Sequence, residues 1–247
     1  MEQWKTAAQE LETLLRLQTF PLGVTFLKKN QDFPAKTRRP KEHLGQAIAP
    51  CQGMTLARRY GWTIGLGADD FSCPIAKIAY RMGEQPKNDM IRAFLTGIGY
   101  AKDESAADAI MSNFPTLPEE AAGLVFFPLS RAKIEPDVIL VFGMPAQLMR
   151  LAHGFGYSAG ESIPGTFSGR AGSCAEGLLG AYTTGKLRIA LPGNGDRVFA
   201  GVQDSELVCA IPAQLLLDII EGMNVQHKRG VRYPIPGLLN YTLPFPT

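Results

Sequence analysis

Asp137-Val-Ile-Leu-Val-Phe-Gly-Met-Pro-Ala-Gln-Leu148 recurs later in the chain as Asp204-Ser-Glu-Leu-Val-Cys-Ala-Ile-Pro-Ala-Gln-Leu215, with seven of twelve positions identical and no gap. Each copy starts with an apolar run typical of a strand and continues into a helix with proline in its first turn, where the missing N–H group costs no hydrogen bond. We interpret the pair as an internal duplication of a strand–helix unit. It predicts an α/β fold, with α+β as the alternative, in which a mixed sheet is flanked by helices.

Outward from these two segments, apolar periodicity and turn residues predict the other elements. Helices are expected over 2–17, from Cys51 to Arg59, from Cys73 to Arg81, over 88–97 and 104–113, from Pro145 to His153, from Cys174 to Thr183 and from Pro212 to Glu221. Strands are expected at 22–26, 61–66, 124–129, 138–142, 187–191, 197–202 and 206–211. A glycine-rich loop is expected over 154–172.

These elements predict one domain over 1–247, with two pseudo-repeated halves at about 22–153 and 154–222. The C-terminal tail contains Pro234, Pro236, Pro244 and Pro246, which predict an extended strap because proline interrupts helices. Pro192-Gly-Asn-Gly-Asp-Arg197 falls between two predicted strands. Its Asn-Gly pair favours a tight hairpin, and a backbone nest that binds an anion beside Arg197 is the alternative.

The composition is that of a globular protein, with 25 basic and 23 acidic residues in 247. This balance gives no reason to expect nucleic acid binding. The sequence contains no apolar run near the roughly 20 residues that cross a bilayer, so no membrane partner is expected. The N-terminus, Met1-Glu-Gln-Trp-Lys5, lacks the pattern of a signal peptide, and a cytoplasmic location is the expectation.

The four cysteines are too few for a disulfide scaffold and are expected to be thiols in the cytoplasm. Cys51, Cys73 and Cys174 each come at the predicted start of a helix, where free N–H groups and the helix dipole favour a thiolate. Ser72-Cys73 and Ser173-Cys174 also share small residues three and six positions later, which extends the apparent repeat upstream. Cys209 lies inside an apolar strand, where a cysteine packs like a small hydrophobic residue.

Three thiolates that converge from helix N-termini would suit an iron–sulfur cluster, which prefers cysteine ligands. We expect Cys51, Cys73 and Cys174 to be the ligands of such a cluster, of the four-iron type among others. Its fourth ligand is left open between a substrate, water and another side chain. Zinc is a weaker expectation, because structural zinc sites draw cysteines in close pairs and the spacings here are 22 and 101 residues.

Basic residues near these segments predict the partner of the site. We expect Arg170, Arg197 and the basic loop 36–41, which contains Arg39, to hold a small anionic molecule. The wider polar segment from Lys28 to Glu42 would otherwise be a solvated loop. A redox partner protein and a homodimer are also compatible with the sequence.

Several of these blocks together resemble a known group of proteins. They are Arg58-x-x-Gly61 after a cysteine-led helix, Ser72-Cys73-Pro74, Pro136-Asp137-Val138, the glycine-rich run into Cys174, and Pro192-Gly193-x-Gly195-x-Arg197. From about Leu22 to the Pro212 helix, the chain resembles the bacterial and archaeal domain-of-unknown-function family numbered 169. The resemblance implies no settled activity. It implies a frequent setting in anaerobic metabolism, which agrees with an oxygen-sensitive cluster.

Three functions stay open from the sequence. The first is a cluster-binding protein with a redox or Lewis-acid role on a small anionic substrate. The second is a metal-free enzyme with one helix-capping cysteine as nucleophile, for which His43 would be the best of three candidate bases. The third is a small-molecule-binding or accessory subunit, in which the cysteines only pack the cleft.

Overall fold

The structure, a computed structural model, describes residues 1–165 and 167–235. Within these ranges, one six-stranded sheet has the order β2-β3-β1-β4-β6-β5. The strands are β1 (Leu22–Leu27), β2 (Ile64–Leu66), β3 (Gly123–Pro128), β4 (Val138–Gly143), β5 (Arg188–Ala190) and β6 (Leu207–Pro212). Every pair of neighbouring strands is antiparallel, and the parallel pairings are isolated bridges. The expected mixture of α and β structure is confirmed, and it takes the α+β form.

The strands of the two similar segments, β4 and β6, are neighbours in this sheet. Strand β4 pairs with β6 along its whole length, with Val138 opposite Pro212 and Gly143 opposite Leu207. Each strand leads into a helix, and these two helices pack against each other through a close backbone approach, since a Cβ atom on Gly154 would meet the Ile219 carbonyl oxygen at 2.5 Å. The arrangement is compatible with a duplicated strand–helix unit. The duplication itself stays a prediction.

Ten α-helices surround the sheet in the described ranges. They are α1 (Glu2–Leu15), α2 (Pro40–His43), α3 (Pro50–Tyr60), α4 (Pro74–Tyr80), α5 (Asn88–Gly97), α6 (Glu104–Ser112), α7 (Pro145–Ala159), α8 (Gly180–Thr184), α9 (Asn194–Ala200) and α10 (Leu216–Lys228). A π-helix, Gly172–Leu179, precedes α8, and 3₁₀ turns occupy Ala68–Asp70, Leu129–Arg131 and Ala213–Leu215. Among the described residues, no helix is both long enough and apolar enough to span a membrane.

The sheet separates two apolar cores, because successive side chains of a strand point to opposite faces. One core contains Ile139, Val141 and Ile211 of the central strands and is covered by α1, α7 and α10. Cys209 belongs to this core and is fully buried, as the sequence predicts.

The other core lies under α3, α4, the π-helix and α8. Its strand residues include Val24, Leu140, Val208 and Ala210. Cys174 is part of this core, and Cys73 packs against it. The three cysteines predicted to form a site are therefore separated from Cys209, which belongs to the core on the opposite face. Helices α5 and α6 form a separate hairpin with a small apolar core around Ile91 and Leu95.

The strand expected over 197–202 and the hairpin expected before it are wrong. Residues Asn194–Ala200 form α9, with Gly193 as the N-cap. The Gly193 N–H group donates to Asp196 Oδ2 at 2.7 Å, so a carboxylate at the third helical position satisfies the first free backbone donor. This bond competes with the local turn preference of the Asn-Gly pair, and the helix prevails.

Other boundaries also differ from expectation. Helix α7 continues to Ala159 through glycines that were expected to open a loop, and α10 extends to Lys228. Cys174 does not begin an ordinary helix after Ser173, because the π-helix starts earlier, at Gly172. Residues 236–247, which hold most of the predicted proline-rich strap, lie outside the described residues.

Candidate thiol and carboxylate site

Two of the predicted cysteines lie at neighbouring helix starts. Cys51 is the second residue of α3, and Cys73 is the N-cap of α4. The segments that lead into these helices are joined, because Ile48 N–H donates to Asp70 O at 2.8 Å and Ser72 N–H donates to Ile48 O at 3.0 Å. The backbone N–H groups of Ile75 and Ala76, in the first turn of α4, act to lower the pKa of Cys73, which is the expected influence of a helix N-terminus.

The third cysteine reaches the same region on the π-helix. Tyr80, at the end of α4, donates its hydroxyl hydrogen bond to the Cys174 carbonyl oxygen at 2.5 Å. Ala171, which precedes the π-helix, has the left-handed φ of 46°, a strained value for a residue other than glycine. π-helices often mark functional sites. Here the π-helix lies on the core that contains Cys174.

A close backbone approach holds the π-helix in place. A Cβ atom on Gly172 would lie 1.9 Å from the Leu191 carbonyl oxygen, so only glycine fits there. A Cβ atom on Gly193 would lie 2.8 Å from the Gly169 carbonyl oxygen. The segment that leads into the π-helix therefore packs directly against the connection between β5 and α9.

The three thiols and Asp196 influence one another electrostatically. Burial raises the pKa of Cys174 well above its usual value, and the negative charges of Asp196, Cys51 and Cys73 raise it further. Burial raises the pKa of Cys51 to about 12, and the charges of Asp196 and Cys73 act in the same direction. Burial also raises the pKa of Cys73, and the charge of Asp196 adds to this. Helices α3 and α4 both contact the π-helix that carries Cys174, and Ser173 next to Cys174 donates its N–H group to Asp196. The structure therefore brings the three predicted cysteines and Asp196 into one neighbourhood.

Asp196 is a member of this neighbourhood that sequence reasoning missed. Its side chain is only 3% exposed, and Oδ2 accepts hydrogen bonds from Gly193 N–H and Ser173 N–H at 2.7 and 3.3 Å. Oδ1 and the buried Ser173 hydroxyl have no hydrogen-bond partner in the described part of the chain. A Gly-x-x-Asp capping pattern was the available signal, and the Asn-Gly turn preference masked it.

The donor geometry limits which metals fit. Within residues 1–165 and 167–235, no three His, Cys, Asp or Glu side chains are grouped closely enough to hold a single metal ion. A cluster of several irons places its ligands on different metal atoms, and its ligands are therefore farther apart than those of one ion. The soft thiol donors and the orphaned buried carboxylate oxygen fit a cluster in their chemistry.

Two of the three arginines predicted to bind an anion, Arg39 and Arg197, have other side-chain contacts. Arg39 forms an ion pair with the buried Asp70 and lies over the Phe33 ring at 4.3 Å. Arg197 donates to the Gln203 carbonyl oxygen and lies 3.6 Å from Asp204. The substrate role of Arg39 and Arg197 stays a prediction.

Arg170 lies beside a cleft of about 290 Å³ that is also lined by Phe114, Ser168 and Glu176. Cys51, Cys73 and Cys174 are not among the residues that line it. The substrate role of Arg170 stays a prediction as well, and it would place an anion in this cleft.

The histidines give no obvious base for a nucleophilic cysteine. The His43 ring is exposed, and its Nδ1 atom hydrogen-bonds to the backbone of Arg39 in the described structure. Burial raises the pKa of each of the three cysteines, whereas a nucleophilic thiol is activated by a lowered pKa.

The helix that carries Cys51 also contributes an ion pair, between Arg58 and Glu206. Arg58, on the same helix as Cys51, is fully buried and lies over the Phe142 ring at 4.3 Å. Its guanidinium donates two hydrogen bonds to the Glu206 carboxylate, at 2.5 and 2.9 Å. This pair anchors α3 to the start of β6.

Together, the fold and the site define an α+β protein with one buried thiol, two partly buried thiols and a buried carboxylate on one face of an antiparallel sheet. The chain belongs to the DUF169 family, described as "Uncharacterised ArCR", whose model matches residues 10–222. It is also similar to the uncharacterized protein MJ0308 of Methanocaldococcus jannaschii, with 28% identity over 225 residues, which cover 91% of this chain and 94% of that protein. No solved structure gives a significant match.

Proposed function

We propose that this chain binds an iron–sulfur cluster through Cys51, Cys73 and Cys174 and uses it in anaerobic metabolism, in a redox or Lewis-acid role on a small anionic substrate. One observation carries the proposal. The helices that carry Cys51 and Cys73 contact the π-helix that carries Cys174, and the buried Asp196 beside Ser173 leaves its Oδ1 atom without a hydrogen-bond partner in the described ranges. Thiolates in such a site need a positive partner, and a metal cluster would supply it.

The surrounding structure supports this assignment in two ways. Backbone N–H groups at the starts of α3 and α4 act to lower the pKa of Cys51 and Cys73, against the effect of burial, and N–H groups that bond to cluster sulfurs also tune the potential of a bound cluster. The apolar core beneath Cys174 excludes water from one side of the site. When bound, an iron–sulfur cluster supplies one-electron transfer or an iron that polarises a substrate oxygen.

The test is the metal content and absorbance spectrum of protein purified without oxygen. We expect a brown protein with about three to four irons per chain and matching sulfide, and we expect little zinc. Cys73→Ser should lose the cluster. Cys209→Ser is the matched control, because its thiol belongs to the core on the opposite face of the sheet, and it should retain the iron.

A colourless, iron-free protein after anaerobic reconstitution would overturn the proposal. Equal iron in the Cys73→Ser and Cys209→Ser variants would also overturn it, because the iron would then be bound elsewhere. In either case, binding of small anions to a variant with Cys51, Cys73 and Cys174 all changed to serine would test the accessory-subunit alternative.

A further inference from the structure

Asp196 is buried in the neighbourhood of the three thiols, and its Oδ1 atom has no hydrogen-bond partner in the described ranges. We propose that this oxygen is the fourth protein ligand of the cluster. The inference rests on the proposed function. It deepens that function, because it makes one iron of the cluster chemically different from the other three.

The position of Asp196 is held by contacts that leave Oδ1 free. Oδ2 accepts from Gly193 N–H and Ser173 N–H, so the carboxylate cannot rotate without losing both bonds. Its helix, α9, is tied to the helix that carries Cys51, because Thr55 Oγ1 donates to Ala200 O at 2.8 Å. The same contacts thus link the carboxylate to the cysteine site.

Other buried acids show what a satisfied carboxylate looks like in this chain. Asp70 accepts hydrogen bonds from Lys41 N–H on Oδ1, from Gly67 N–H on Oδ2, and from the Arg39 guanidinium. Glu206 accepts two bonds from Arg58 and one from Gln203 N–H. Asp196 is 3% exposed, which lies between the fully buried Asp70 and the partly buried Glu206, but no guanidinium contacts it and its Oδ1 has no hydrogen bond in the described ranges.

An oxygen ligand has a chemical consequence for the cluster. Iron in these clusters prefers soft thiolate, and a carboxylate is a harder and weaker ligand for it. The iron held by Asp196 would be the one that is lost first or that accepts a substrate. The Lewis-acid role in the proposed function would therefore be performed at this iron.

The experiment compares wild type with Asp196→Asn and Asp196→Cys, all purified and reconstituted without oxygen, by iron and sulfide content and by electron paramagnetic resonance. Asp204→Asn is the control, because Asp204 is a fully exposed acid in the following loop. Circular dichroism of each variant checks that it has folded. Asn keeps an oxygen acceptor for the Gly193 and Ser173 bonds, and the cysteine variant provides a second test that adds a ligand.

We expect Asp196→Asn to contain about one iron fewer per chain than wild type and to show the paramagnetic signal of a three-iron cluster. Ferricyanide takes one electron from a four-iron cluster of charge 2+ and leaves a three-iron cluster of charge 1+ and one ferrous ion. Wild type should undergo this loss readily. Asp196→Cys should resist it, because a thiolate then holds the fourth iron.

Two results overturn the inference and are distinguishable. If wild type binds a cluster, and Asp196→Asn and Asp196→Cys match it in iron content, spectrum and ferricyanide response, then Asp196 is not a ligand and the proposed function survives. If folded wild type binds no cluster after reconstitution, the proposed function fails and this inference fails with it.

Discussion

Glu206, which is partly buried, and Asp196, which is buried, are carboxylates only ten positions apart in the sequence, and they differ in what surrounds them. Glu206 faces the Arg58 guanidinium and accepts two hydrogen bonds from it. Asp196 lies among three thiols, and one of its oxygens has no partner in the described structure. In the first arrangement the two opposite charges are in direct contact, although Arg58 Nε has no partner in the described structure, and the pair holds α3 to the sheet. The second is incomplete, which indicates a position built for a ligand rather than for stability.

The pKa values of the two carboxyl groups follow the same contrast. Burial would raise the pKa of Glu206, but the hydrogen bonds and charge of Arg58 outweigh it, and the pKa lies below its usual value. Burial raises the pKa of Asp196, and the hydrogen bonds from Gly193 and Ser173 do not cancel this effect. A guanidinium in direct contact therefore decides which of the two carboxylates is stabilised.

The largest expected effect on stability comes from breaking the ion pair between Arg58 and Glu206. Arg58→Ala should lower the free energy of unfolding by about 3–5 kcal/mol, because it leaves the Glu206 carboxylate buried without its cation. Urea denaturation at neutral pH measures this loss. Arg59→Ala is the neighbouring control, since Arg59 is exposed and should cost less than about 1 kcal/mol. Similar losses in the two variants would contradict the structural role of the pair.

The pH dependence of Glu206→Gln tests the same pair through the charge. A carboxyl group with a lowered folded pKa stabilises the protein fully above its unfolded pKa, about 4.3, and loses this contribution as the pH falls through the folded value. The wild type should be more stable than Glu206→Gln by a constant amount above about pH 5. The difference should narrow in more acidic solution. Thermal denaturation between pH 3 and pH 7 measures it, and a gap that is independent of pH would contradict the prediction.

A third prediction concerns the packing at the start of the π-helix, on the side of the molecule that holds Asp196, and leaves the Arg58–Glu206 pair unchanged. Gly172→Ala should destabilise the chain by about 1–3 kcal/mol, because the new Cβ atom would overlap the Leu191 carbonyl oxygen. Gly195→Ala, in α9, should be neutral or stabilising by up to about 1 kcal/mol, since its Cβ atom would lie 3.7 Å from Phe199. Chemical denaturation of both variants checks this. Equal effects would mean that the junction before the π-helix is not closely packed.

The smallest expected effect has the opposite sign. In metal-free protein, Asp196→Asn should raise the free energy of unfolding by on the order of 1 kcal/mol, because the amide removes a buried charge that no cation contacts in the described structure. Asp70→Asn is the contrasting variant and should lower stability, since the Asp70 carboxylate is paired with Arg39. Denaturation of both metal-free proteins measures the signs. If both variants were destabilised to the same extent, the predicted difference between the paired Asp70 carboxylate and the Asp196 carboxylate would be wrong.

Much of the secondary structure was predictable because it depends on local patterns. The repeated segments correctly indicated strands β4 and β6, and Pro145 marked the first turn of the helix that follows β4. The failure at Asn194–Ala200 has a physical cause. An Asn-Gly pair favours a hairpin locally, but the helix is fixed by Asp196, which accepts N–H groups from both Gly193 and Ser173. The second of these bonds joins segments that are distant in sequence.

The sequence by itself determined the positions of Cys51, Cys73 and Cys209 within their elements. Cys51 and Cys73 lie at helix starts because Pro50 and Pro74 favour the first turn, and Cys209 is buried because its strand is apolar on both sides. Only the tertiary structure decided that Cys51, Cys73 and Cys174 share one neighbourhood and that Asp196 joins them. No local spacing requires segments so far apart in sequence to meet. The packing of the helices on one face of the sheet brings them together. The same packing places a guanidinium against Glu206 and none against Asp196.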